Sequence, residues 1–100
     1  MTVATERKVR TVKFIPRLGE QIFSVNLAMV DLSELTAIGH RLGFKPEVVQ
    51  VEYRSGATEI HAMLWQGPID EAPHDLEAKY DELSELINPD AIRFAVAAKI

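Results

Sequence analysis

The chain has 100 residues, 47% of them hydrophobic and 26% charged, with a formal net charge of −4. This is the size and composition of one globular domain and too short for two. The absence of cysteine excludes a disulfide framework, a thiolate metal site and a cysteine nucleophile, and the acidic balance argues against nucleic acid as the main partner.

Residues 1–6 lack the apolar core of a signal peptide and are expected to be disordered. No apolar run approaches the ~20 residues that span a bilayer, so the expectation is a cytoplasmic protein with one domain over residues 7–100. A first strand is expected over 7–15, where charged residues alternate loosely with Val9, Val12 and Phe14. Residues 16–19 read as a turn. From Gln21 the residues Phe23, Val25, Leu27 and Met29 alternate with Ser24, Asn26 and Ala28, the clearest two-residue period in the chain and the mark of a second strand.

Asp31 and Glu34 have capping-box spacing and open a helix with Leu32, Leu35, Ile38 and Leu42 on one stripe, ending at Gly43. Gly39 costs about 1 kcal/mol in a helix, so close approach to the sheet is the expected reason for it. Val49, Val51 and Tyr53 then alternate with polar residues, and Thr58 to Gln66 resumes the pattern, which predicts a hairpin. A two-residue Ser55-Gly56 turn sets Val51 beside Ile60 and Val49 beside Ala62, so that aliphatic side chains share a face and Glu52 stands opposite Glu59. Pro73 prepares a second helix with Leu76, Tyr80, Leu83 and Ile87 on one face. The segment Asn88-Pro89-Asp90 stops it, and Ile92, Phe94, Val96 and Ala98 mark a closing strand.

The fold expected is α+β, ββαββαβ, an antiparallel-rich five-stranded sheet with two helices on one face. Without its first strand the order βαββαβ is similar to that of ferredoxin-like sandwiches, which makes the chain ferredoxin-like with an extra N-terminal strand. In that arrangement the strand before the first helix already has two neighbours, whereas the short turn at 16–19 wants the extra strand beside it. Either the extra strand lies elsewhere, or the closing strand is displaced, or the topology differs.

The uncovered sheet face is then expected to show Ser24, Asn26, Val48, Gln50, Glu52, Glu59, His61, Met63, Trp65 and Arg93, with Lys13 or Thr11 at its margin. His61, Glu59 and Glu52 are the candidates for an acid–base group, since a histidine two residues from a carboxylate on one strand shares its face. Trp65, Met63, Gln50, Asn26 and Arg93 are the candidates for binding or an interface. The competing readings of this face are a dimer interface anchored by Trp65 and Met63, an ordinary solvated surface, and a catalytic group. His40 and His74 share no ligand spacing with His61, so no metal and no cofactor is expected. No glycine-rich phosphate loop or nucleophile elbow is present.

Between Asp70 and Asp90 eight acidic residues stand against the single Lys79, and the second helix carries Glu77, Asp81, Glu82 and Glu85. Such a run is a solvated helix face or a dock for a basic protein partner. The leading expectation is a small non-enzymatic interaction or accessory domain, homodimeric through the uncovered face or an edge strand. The alternative is a cofactor-independent enzyme or ligand binder using His61 with Glu59, whose size and strand–helix order are similar to those of dimeric α+β barrel enzymes. A third is an acidic decoy of a nucleic-acid-binding protein.

Overall fold

The structure, a computed structural model, describes residues 9–15 and 17–97. The expected disorder over 1–6 lies outside the described residues, as do the start of the expected first strand at Arg7 and Lys8, Pro16 of the turn, and Ala98 of the expected closing strand. The elements are β1 (Arg10–Lys13), β2 (Glu20–Asn26), α1 (Leu32–Arg41), β3 (Glu47–Glu52), β4 (Thr58–Pro68), α2 (Leu76–Leu86) and β5 (Ile92–Val96). They form a mixed α+β fold with one five-stranded sheet and two helices, in the order β1-β3-β4-β2-β5. The pair β1/β3 is parallel and the other pairs are antiparallel. With β1 appended the order is not strictly ferredoxin-like. Among the described residues no helix is long and apolar enough to cross a membrane.

The short turn after β1 does not hold it against β2. The strand lies instead beside β3, at the far edge of the sheet. Two contacts account for this. Val12 is buried with Val49 and Val51, worth about 2 kcal/mol for a valine taken out of water. Arg10 grips Glu47 with Nε at 3.2 Å and Nη2 at 2.8 Å, and reaches Gln66 Oε1 at 3.1 Å. The Arg10 pKa is raised and that of Glu47 lowered, first by this hydrogen bonding. Both side chains are about half exposed, so the pair adds at most ~1 kcal/mol and Val12 is the stronger tether.

Asp31 caps α1 by accepting the Glu34 N–H at 3.2 Å, and the helix ends at Gly43, whose φ of +90° suits glycine. A Cβ at Gly39 would sit 2.8 Å from Cγ of Pro46, so the close approach is to the proline that leads into β3. Helix α2 buries Leu76 and Leu83, and the Asn88 side chain caps the turn that follows by accepting the Asp90 N–H. Phe23, Val25, Ala62, Leu64 and Ile92 of the sheet pack with Leu35 and Ile38 of α1 and Leu76 and Leu83 of α2 in the main core. A second cluster of Val12, Ile22, Val49, Val51 and Met63 lies on the opposite face, supported by Phe14, Tyr53 and Ala95.

Two expectations about the hairpin are corrected. Its loop is the three residues Arg54, Ser55 and Gly56, closed by Tyr53 N–H to Ala57 O, with Gly56 at φ +90°. This is the loop in which a left-handed third residue forms a bulge. It pairs Val51 with Glu59 and Val49 with His61, one residue away from the expected register. Val48, Gln50 and Glu52 therefore leave the His61 face, and Val49 and Val51 take their place. The second correction is in β4, where Phe23 pairs with Trp65 but Ser24 pairs with Met63. The extra residue, Leu64, makes a β-bulge that turns Trp65 toward the helices, where it packs against the main core.

Candidate functional site

The face away from the helices carries a chain of polar side chains. Ser24 on β2 and His61 and Glu59 on β4 come together because the β2/β4 register sets His61 opposite Asn26, diagonal to Ser24. Ser24 Oγ lies 2.7 Å from His61 Nδ1, and His61 Nε2 lies 2.8 Å from Glu59 Oε1. The Tyr53 hydroxyl, just beyond β3, donates to the same Glu59 oxygen at 2.6 Å. The Phe14 and Tyr53 rings flank the imidazole, with centroids 6.2 Å and 6.5 Å away.

Ser24 and His61 are 0% exposed, whereas the Glu59 side chain is 33% exposed. Burial pushes the His61 pKa down, against the pull of the Glu59 carboxylate, while Arg93 adds a smaller push in the same direction as burial. The Glu59 pKa is lowered, first by the Tyr53 hydroxyl and then by His61. Burial raises the Tyr53 pKa, with the bond to Glu59 adding to it. Glu59 is thus an anion that only accepts, so His61 must donate from Nε2. A neutral imidazole then has a bare Nδ1, which accepts the Ser24 proton. Every polar atom of the buried half of the chain is satisfied.

The arrangement has the parts of a nucleophile, a base and an orienting carboxylate. It lacks their access. Ser24 has no exposed surface, so an electrophile has no path to Oγ, and the partly exposed end of the chain is the carboxylate. What the four groups do in this geometry is join β2, β3 and β4 on the face the helices leave free.

Of the residues expected here, His61, Glu59, Ser24 and Arg93 share the face, and Met63 is buried in its apolar half. Asn26 is buried and accepts the Ala28 N–H at 2.9 Å, closing the turn after β2. The Arg93 guanidinium bonds the carbonyls of Asp90 and Ile92 at 2.6 and 3.2 Å. Glu52 and Gln50 stand on the other face, and Glu52 is no part of the group. Trp65 lies on the helix side, its Nε1 buried and without a hydrogen-bond partner among the described residues. The expected dimer anchors are therefore separated, one on each face, and Met63 is already covered within the chain.

Sequence reasoning missed Tyr53 and Phe14 as members of the site. Gly56 was the available signal, since a glycine at the third loop position points to the loop that brings Tyr53 over Glu59. His40 and His74 are exposed, and among the described residues no group of three or more His, Asp or Glu side chains is placed to hold a metal ion. Glu77, Asp81, Glu82 and Glu85 are all exposed on α2. No family model, curated protein or solved structure matches the chain.

Proposed function

We propose that this chain is a small non-enzymatic interaction domain whose β2-α1-β3-β4-α2-β5 core is ferredoxin-like, with β1 added at one edge. One observation carries the reading: the polar group with the makeup of a catalytic site is closed, with Ser24 and His61 wholly buried. Chemistry needs a nucleophile that substrate can reach. A buried, fully bonded chain instead fixes the geometry of a sheet, which leaves the exposed edges and the acidic flank of α2 for contact with a partner.

The alignment of hydroxyl, imidazole and carboxylate gives specific support to a second reading, an enzyme in which Phe14 and Tyr53 swing aside to admit substrate. Incubation with a fluorophosphonate, followed by mass spectrometry, separates the two. The interaction-domain reading expects no adduct on Ser24 of the folded protein. Rapid labelling of Ser24 that disappears in His61→Ala, with the variant still folded, would establish the enzyme reading.

A further inference from the structure

We propose that the outer edge of β5, with the flank of α2 above it, receives an extended basic peptide of another protein as an added strand. This rests on the interaction-domain reading and names its partner class. The argument begins with backbone alternation. Ala97 exchanges hydrogen bonds with the Gly19-Glu20 end of β2, and in an antiparallel pair every second residue points its N–H and C=O to the same side. Ala95 and Arg93 therefore bond β2, while Phe94 and Val96 turn their backbone groups outward. Ile92 is unavailable, since its N–H bonds Pro89 O and its carbonyl accepts from Arg93. Among the described residues β5 pairs with β2 alone.

Side chains beside these groups favour one kind of occupant. Phe94 and Val96 share the helix side of the sheet, and Val96 is 47% exposed. Beside them Glu77, Tyr80, Asp81 and Phe94 line a hollow of about 440 Å³, with the Tyr80 and Phe94 rings 5.2 Å apart and edge-on. A strand laid on this edge would put alternate side chains into an aromatic hollow rimmed by two carboxylates. An apolar residue followed two positions on by lysine or arginine satisfies both. Edge addition draws its affinity from main-chain bonds and its specificity from such alternate side chains.

Charge also argues against a second copy. Two β5 strands pairing antiparallel about a twofold axis would bring two α2 helices together on one side of the joined sheet. Glu77 and Asp81 would then face their own counterparts, a like-charge contact that costs free energy.

The test uses the full chain and a nine-residue probe, Thr-Lys-Thr-Val-Thr-Lys-Thr-Val-Thr, followed by amide NMR and titration at low salt. Saturable shifts at the Phe94 and Val96 amides are expected, with slowed solvent exchange of both protons. The pair Glu77→Lys and Asp81→Lys should weaken binding about tenfold, and less at high salt. Val96→Pro removes an outward N–H and no bond to β2, so it should abolish binding with the circular dichroism spectrum kept. The proposal is overturned by silence of these amides at about 1 mM peptide, a concentration that would populate even a weak complex. Equal binding of the glutamate-for-lysine peptide also overturns it. So does self-association of the chain that Val96→Pro disperses, which would assign the edge to a second copy. Ser24 labelling would count against the interaction-domain reading alone and leave the result at this edge standing.

Discussion

His61→Leu is expected to destabilise the fold by about 2–3 kcal/mol, and adding Ser24→Ala to that variant is expected to recover about 1 kcal/mol rather than cost more. The reason is asymmetry in what each substitution leaves behind. Leucine fills most of the imidazole space but strands the Ser24 hydroxyl in a site closed to bulk solvent, since both residues are 0% exposed. Removing that hydroxyl as well leaves an apolar contact between β2 and β4 with nothing unsatisfied. Glu59 loses its histidine donor in either case, but it keeps the Tyr53 hydroxyl at 2.6 Å and reaches solvent. Urea unfolding of the two single variants and the double variant measures this. A 2–3 kcal/mol loss lowers the melting temperature of a domain this size by roughly 15 °C. If Ser24→Ala costs as much in the His61→Leu background as it does with His61 in place, the two side chains are not coupled.

Acid should begin to weaken the fold as the pH falls through the ordinary imidazole range. Burial holds the folded His61 below the ordinary imidazole value of 6.5. Above that value folded and unfolded chains both carry neutral imidazole, and the contribution is complete. As pH falls below it, the unfolded chain takes up a proton that the folded chain resists, so stability is lost until the folded pKa is passed. The slope is up to ~1.4 kcal/mol per pH unit for one proton. Glu59 acts with the same sign at lower pH, because its folded pKa is also lowered and its contribution is lost as pH falls below the ordinary carboxylate range. Urea titrations in pH steps should show stability falling as the pH drops below the ordinary imidazole value of about 6.5, and His61→Leu should flatten that fall. A parallel fall in both proteins would assign the acid sensitivity to other groups.

Much of the fold was legible because local chemistry and packing agree. Asp31, Gly43 and the Asn88-Pro89-Asp90 stop each sit where a cap or a break is required, whereas Pro73 stands two residues before Asp75, the N-cap of α2, and its carbonyl accepts the Leu76 N–H. The closing strand and the first part of the β2 period were equally plain, but Leu27 and Met29, which continue the alternation, lie in the turn that follows Asn26. The hairpin register was not, and the cause is physical. Register is readable when the apolar face of a strand is the buried one, but β4 sends His61 and Glu59 to the face covered by Val12, Phe14 and Tyr53 and leaves Ile60 44% exposed on the other. Matching Val51 with Ile60 joins the most aliphatic surface and is wrong by one residue. Trp65 escaped for a similar reason, since the bulge at Leu64 has no glycine to announce it and reverses the face of everything after it in β4.

For the site, the neighbourhood of His61 and Glu59 follows from their two-residue spacing, and Ser24 was placed on the right face by the period of β2. That they form a closed chain depends on depth, which composition does not reveal. The parallel β1/β3 pair supplies that depth by carrying Val12 and Phe14 across the sheet, and nothing in the turn after β1 signals such a partner.

The most direct test of a sealed, neutral histidine at the centre of this face is nitrogen-15 NMR of the His61 ring in the folded protein. At pH 7 the ring should be neutral with its proton on Nε2 and a bare Nδ1, and it should stay neutral until the pH is below the ordinary imidazole midpoint of ~6.5. A charged imidazolium at pH 7, a proton on Nδ1 with Nε2 bare, or a midpoint at or above the ordinary value would contradict it.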